Sequence, residues 1–234
     1  MTEIILQILE IVGTIAFAVT GAFVSIRADL DLFGVVFVGC ISAVGGGIIR
    51  DLILGATPPA IFSNLPILLV AALSALGVFL FAYFYRKKFD VIKDRLEAVN
   101  NVFDAFGLAA FTIMGTELGF QYGVANNAVL TLTIGLLTAV GGGMLRDVLT
   151  ASTPYIFKKH VYALASLGGG VAYYLLRLFI TDTLVPSLIA MALIVALRLL
   201  ATKYRWSLPK IKGKASVSDS ETTMEESTAP KSAA

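Results

Sequence analysis

Ser42-Ala43-Val44-Gly45-Gly46-Gly47-Ile48-Ile49-Arg50-Asp51-Leu52 returns later in the chain as Thr138-Ala139-Val140-Gly141-Gly142-Gly143-Met144-Leu145-Arg146-Asp147-Val148. Each copy closes a long apolar segment, and each is followed by a Thr-Pro pair, Thr57-Pro58 and Thr153-Pro154. Glycine weakens a helix, and charge is expensive in hydrocarbon. A chain that carries both penalties twice, at matching places, has been duplicated and keeps the two copies for a shared site.

Composition gives the class. Hydrophobic residues make up 57% of the 234 and charged residues only 15%, against the roughly 45–50% apolar content of soluble domains. Mean hydropathy is +0.85. The apolar segments are too long for a soluble surface, so an all-α membrane protein is expected. A net charge of +2 says little by itself. The single cysteine, Cys40, lies in an apolar run, where a small buried hydrophobe is expected and no intrachain disulfide can form. Glu3 and Glu10 stand where a signal peptide has basic residues, so the first apolar segment is expected to stay as a helix.

Seven spans have the length a bilayer requires. They run over Ile4–Ile26, Leu32–Leu54, Leu65–Tyr85, Ala98–Gly115, Ala125–Leu149, Val161–Ile180 and Leu184–Thr202. Residues 1–205 thus form one transmembrane domain, and residues 206–234, rich in Ser, Thr, Lys, Glu and Ala, read as a disordered cytoplasmic tail. Basic residues cluster in three places: Arg86, Lys87, Lys88, Lys93 and Arg95; Lys158 and Lys159; and Lys203, Arg205, Lys210, Lys212 and Lys214. Placing all three in the cytoplasm puts the N-terminus outside and the C-terminus inside. Tyr83, Phe84, Tyr85, Tyr204 and Trp206 then form an aromatic belt at the inner interface.

The repeat unit is three helices, about 4–86 and about 98–180, with a seventh helix at about 184–202 outside the symmetry and expected to pack or close the bundle. Gly13, Phe17 and Gly21 correspond to Gly107, Phe111 and Gly115, and Glu10 to Asp104. An odd number of spans makes the second copy enter from the opposite side, so the repeats are inverted. That arrangement places solute sites near the midplane, at interrupted helices in corresponding positions.

Candidate pore and gating residues follow: Gly45, Gly46, Gly47, Arg50 and Asp51 in one copy, Gly141, Gly142, Gly143, Arg146 and Asp147 in the other, with Ser42, Thr138, Phe17 and Thr112 beside them. A glycine triplet permits a kink or an unwound stretch, whose carbonyls could hold a dehydrated cation. The same triplet also serves as a close-packing face between helices. Arg50 and Arg146 share the helix face of Gly47 and Gly143, whereas each aspartate is rotated by about 100° and is expected to pair with a neighbouring helix. The arginines either face the pathway or snorkel to opposite interfaces. Glu10 and Asp104 read as acids favoured by a helix N-terminus. His160 reads as a solvated ring, and Gly168-Gly169-Gly170, which lacks a following Arg-Asp, as packing between helices or subunits.

On these residues the chain resembles the prokaryotic members of the trimeric intracellular cation (TRIC) channel family, which also includes small bacterial membrane proteins labelled glycine transporters. The resemblance covers about residues 4–205. It rests on the seven spans, the inverted repeats, both Gly-Gly-Gly-x-x-Arg-Asp copies and the phrases Phe103-Asp104-Ala105-Phe106-Gly107-Leu108 and Phe111-Thr112-Ile113-Met114-Gly115. It implies a homotrimer in the prokaryotic plasma membrane, with an hourglass pore in each protomer around kinked second and fifth helices, conducting potassium and other monovalent cations. Animal members carry lysine where this chain has Arg50 and Arg146, so the resemblance does not by itself imply phosphoinositide regulation of the animal kind. An arginine beside a cation pore must be neutralised, by Asp51, Asp147 or a lipid phosphate, or act as a gate.

Two function classes remain open: a passive monovalent cation channel, and a secondary transporter of a small solute such as glycine. Enzyme function is set aside, because no metal-ligand cluster, nucleophile–base pair or phosphate loop is present. No cofactor, resident metal or nucleic-acid partner is expected; the partners are permeant cations, membrane lipid and further copies of the chain.

Overall fold

The computed structural model describes residues 2–158, 161–204 and 206, with the backbone alone for 86–96 and 158. The expected tail beyond Trp206, together with Lys159, His160 and Arg205, lies outside the described residues, as do the side chains of the Arg86–Arg95 cluster and Lys158. The helices are α1 (Thr2–Arg27), α2 (Leu32–Ile53), α3 (Leu65–Phe84), α4 (Arg86–Gln121), α5 (Ala128–Leu149), the short α6 (Tyr155–Lys158), α7 (Val161–Phe179) and α8 (Leu184–Lys203), with a 3-10 turn at Ala60–Ser63. Seven of them are long and apolar enough to cross a membrane.

Each repeat starts its second helix in the same way. The Gly34 amide donates to Asp31 Oδ1 at 2.7 Å ahead of α2, and the Leu130 amide donates to Asn127 Oδ1 at 3.1 Å ahead of α5. Side-chain oxygens there satisfy amides that have no partner within the helix. The short segments after the two Thr-Pro pairs, Ala60–Ser63 and Tyr155–Lys158, also correspond.

The fourth span differs from expectation at both ends. The basic stretch read as a loop is the first part of α4, which begins at Arg86. At the other end α4 continues past Gly115 to Gln121. The added turn and a half includes Glu117, a residue that is costly in an apolar span unless it is paired. Glu117 is buried and paired: Arg177 Nε and Nη2 donate to its two oxygens at 2.9 and 3.1 Å, and the Tyr173 hydroxyl donates at 2.8 Å. A bidentate guanidinium and a phenol replace the lost water.

Aromatic–glycine contacts hold the repeats together. Phe111 lies against Gly13 and Phe17 against Gly107, with the two rings 5.4 Å apart between α1 and α4. α8 packs on α7 and α4, and Ile194 of α8 sits directly on Gly169. The third glycine triplet is therefore a packing face within the chain at Gly169, while Gly168 has open space above it. Large apolar side chains cover the exterior, among them Ile4, Phe33, Leu73 and Phe179, and Tyr83, Phe84, Tyr85, Tyr204 and Trp206 are all exposed. That is the surface a bilayer solvates.

Candidate functional site

The two glycine triplets meet. Gly45 faces Leu145, Gly46 faces Gly141 and Thr138, Gly142 faces Ser42, and Gly141 faces Ile49. Residue numbers rise along α2 as they fall along α5, so the helices cross antiparallel and the repeats are inverted. A methyl group on Gly46 would overlap the Thr138 carbonyl, and one on Gly142 the Ser42 carbonyl. Both helices remain helical through their triplets. The expected unwound stretch, with free carbonyls available to an ion, is not observed. The glycines allow backbone-to-backbone contact, with Cα–H groups facing carbonyl oxygens.

Beyond the crossing the two arginines leave in opposite directions, and neither snorkels: Arg50 is 7% exposed and Arg146 is 4% exposed. Each pairs with the next residue, contrary to the expectation from helical rotation. Arg50 Nε donates to Asp51 Oδ1 at 2.8 Å, and Arg146 Nε donates to Asp147 Oδ1 at 2.8 Å. The long guanidinium arm spans the 100° that separates the two Cβ directions. The second carboxylate oxygen caps the following segment, accepting from the Ala60 amide at 2.9 Å in one copy and the Tyr155 amide at 2.7 Å in the other. The acid is thus held by its own repeat on both oxygens.

The two halves then diverge. On the Arg146 side, Asp104 Oδ2 lies 3.1 Å from Arg198 Nη2, and Asp104 Oδ1 lies 3.8 Å from Arg146 Nη1. Arg146 Nη1 also donates to Thr20 Oγ1 at 3.2 Å. The Arg198 guanidinium stacks over Tyr162 at 4.5 Å and approaches the Tyr155 ring at 5.8 Å. Asp104 is therefore a buried ion-pair partner well inside α4 and not a helix-terminal acid. Arg198, which comes from the unduplicated α8, was not a candidate in the sequence reading. An arginine inside an apolar span was the available signal.

On the Arg50 side the corresponding positions are Glu10, Ala60 and Ile67, and a cavity of about 40 Å³ remains, lined by Glu10, Thr14, Arg50, Asp51, Asn64 and Thr138 among others. It is large enough for water. A larger vestibule of about 510 Å³, lined by Arg27, Glu97, Asn101, Thr150, Ser152 and Tyr155, opens on the Arg146 side.

Of the remaining candidates, Thr138 lines the cavity, and its hydroxyl donates to the Ile134 carbonyl at 2.7 Å. Ser42 is buried at the crossing, and its hydroxyl has no hydrogen-bond partner among the described residues. Phe17 is fully buried, and it is its partner Phe111 that reaches the cavity. Thr112 lies apart from it, in the α4–α7 contact, 2.7 Å from Ser166 Oγ. Among the described residues no group of His, Cys, Asp or Glu is arranged to hold a metal ion.

A family profile described as "Glycine transporter" matches the chain twice, over residues 7–84 and 101–177, which are the two repeats. The UPF0126 inner membrane protein YadS of Escherichia coli is 33% identical over 205 residues, covering 86% of this chain and 93% of its own. A crystal structure of a prokaryotic TRIC channel in 0.5 M KCl superposes with a TM-score of 0.78 at 32% identity, over 88% of this chain and 100% of that one. The TRIC trimeric intracellular cation channel orthologue from Rhodobacter sphaeroides gives 0.75 at 30% identity, over 86% and 98%. The chain belongs to the TRIC family. Its relatives are membrane proteins and channels and not enzymes. Within the TRIC fold the doubled motif is the antiparallel crossing itself, and its two Arg–Asp pairs mark the two halves of the chain.

Proposed function

We propose that this TRIC-family chain is a monovalent cation channel, potassium-permeable, with one pore in each protomer of a homotrimer. The solved relatives described as cation channels support this reading. The observation that carries it is the pairing of Arg50 and Arg146 with the adjacent aspartates at 2.8 Å. A bare arginine about 6 Å from a passing cation would oppose it by about 3 kcal/mol at an effective dielectric of 20. Pairing removes most of that opposition. The pathway runs from the Glu10 cavity past Phe111 and the glycine crossing toward Asp104 and the vestibule, and small changes in the α2–α5 crossing angle gate it by moving the arginines.

A second reading, a glycine carrier, is favoured by the description of the matching family. Purified protein in liposomes separates the two. Rubidium influx driven by an outward potassium gradient, unaffected by millimolar glycine, is the result expected of the channel. Saturable glycine uptake without such influx identifies a carrier. The basic clusters place the N-terminus outside and the C-terminus in the cytoplasm of a prokaryotic plasma membrane. In a Cys40→Ser background, Ala28→Cys is then labelled by an impermeant maleimide only from the cytoplasmic side and Phe62→Cys only from outside. Labelling of both from one side contradicts the inverted topology.

A further inference from the structure

The inverted repeats share a groove that the chain fills in one half and leaves open in the other. In the second half α8 lies along α7 and α4: Ile194 sits on Gly169, and Ala190 joins Ile5, Leu9, Ile113 and Tyr173 in one buried cluster. In the first half a groove of about 310 Å³ runs between α1, α3 and α4, lined by Val19, Phe23, Ser74, Val78, Val99 and Phe103 among others. At the spacing of the repeats, Val19, Ser74, Val78, Val99 and Phe103 correspond to Ile113, Gly169, Tyr173, Ile5 and Leu9. Those five residues form the seat of α8. The first repeat has no helix in the role of α8, so its seat stays open.

The open groove keeps the features of a helix seat. Ser74 and Gly77 give α3 a small-residue face, and an added Cβ at Gly77 would meet nothing within 4 Å. Inside a membrane, apolar area alone drives little association, and small residues let a second backbone pack closely. Asn100, also in the lining, has a buried Oδ1 with no hydrogen-bond partner among the described residues, which calls for a donor on the occupant. Charge distinguishes the halves in the same sense. Arg198 of α8 lies 3.1 Å from Asp104, whereas Glu10, the counterpart of Asp104, makes no hydrogen bond or ion pair among the described residues. An acid in an apolar span favours a basic partner.

We propose that this groove is the docking surface for an apolar membrane-spanning helix of another protein, seated antiparallel to α3 as α8 is seated against α7. Its chemistry follows from α8: an aliphatic residue over Ser74, in the role of Ile194, and an arginine or lysine four residues later toward Glu10, in the role of Arg198. The chain's own α8 is committed to α4 and α7, so the helix comes from elsewhere. The surface does not depend on whether the chain conducts.

Disulfide capture in liposomes tests the seat, because the bond requires Cα atoms within about 7 Å. The probe is a synthetic peptide of α8, Leu184–Lys203, carrying Ile194→Cys, added to the full-length protein in a Cys40→Ser background. Ser74→Cys is expected to capture the peptide at least tenfold better than Leu73→Cys, an exposed neighbour on the same helix. Gly77→Leu, which fills open space and leaves the melting temperature unchanged, lowers capture at least fivefold. Glu10→Gln and a peptide with Arg198→Met each lower it at least threefold, and the two together lower it no further.

Equal capture at Ser74→Cys and Leu73→Cys overturns the proposal, because the face then meets only lipid chains. So does capture at Ser74→Cys that ignores Gly77→Leu. Stronger capture at Gly168→Cys, beside the seat of the chain's own α8, shows exchange with that helix and also overturns it. A disulfide between two full-length Ser74→Cys chains that the peptide does not suppress assigns the face to contact between copies and overturns it as well.

Discussion

Gly46→Ala and Gly142→Ala are expected to lower the melting temperature by about 10 °C, while Gly47→Ala and Gly143→Ala leave it unchanged or slightly raised. Added Cβ atoms at Gly46 and Gly142 would overlap the carbonyls of Thr138 and Ser42, and backbone on both sides of the crossing has nowhere to go. Overpacking a tight contact costs about 1–3 kcal/mol when side chains yield, and more when they do not. At Gly47 and Gly143 the nearest atoms are Arg50 Nη2 at 3.5 Å and Arg146 Nη2 at 3.7 Å, ordinary contact distances. Alanine there gains up to about 1 kcal/mol of helix propensity. Scanning fluorimetry with size-exclusion chromatography reads the contrast. If all four variants behaved alike, the triplets would act through flexibility, and the crossing would lose its assigned role.

Asp104→Asn and Arg198→Met are each expected to destabilise the protein by about 3–5 kcal/mol, because each strands the partner charge in a buried site. Arg198 is 2% exposed and Asp104 is 4% exposed, so water does not replace the missing ion. Asp104→Asn also weakens the hold on Arg146, whose Nη1 lies 3.8 Å from the same carboxylate. The double variant removes both charges and is expected to recover part of the loss, with a coupling of about 0.5–3 kcal/mol between the two sites. Strictly additive losses would show that the pair does not interact, and the Asp104 cluster would have to be redrawn.

Much of the fold was legible because the strongest signals were periodic and repeated. Apolar length gave the spans, and the doubled Gly-Gly-Gly-x-x-Arg-Asp gave the duplication. The odd span count gave the inversion that the Gly46–Thr138 and Gly142–Ser42 contacts display. What failed were judgements in which one residue's cost was weighed without its partner. The fourth span was ended at Gly115, yet α4 runs on and carries Glu117 inside the bundle, paired with Arg177 and Tyr173. Asp51 and Asp147 were aimed at other helices by their Cβ directions, whereas the reach of arginine and the amides of Ala60 and Tyr155 decide where they point.

Arg198 was passed over because the seventh helix stands outside the repeat, so no counterpart drew attention to it. The glycine triplets were ambiguous in principle: one sequence permits a kink and a close crossing alike. Only the partner helix, itself glycine at the same point, makes the crossing possible.

A channel of the proposed kind passes cations through a continuous path in each copy of the chain. Planar-bilayer recording of the purified protein under a tenfold potassium chloride gradient tests it most directly. Discrete, ohmic unitary currents reversing near the potassium equilibrium potential are the predicted result. Reversal toward the chloride potential, or saturable glycine uptake by the same preparation with no unitary current, would contradict it.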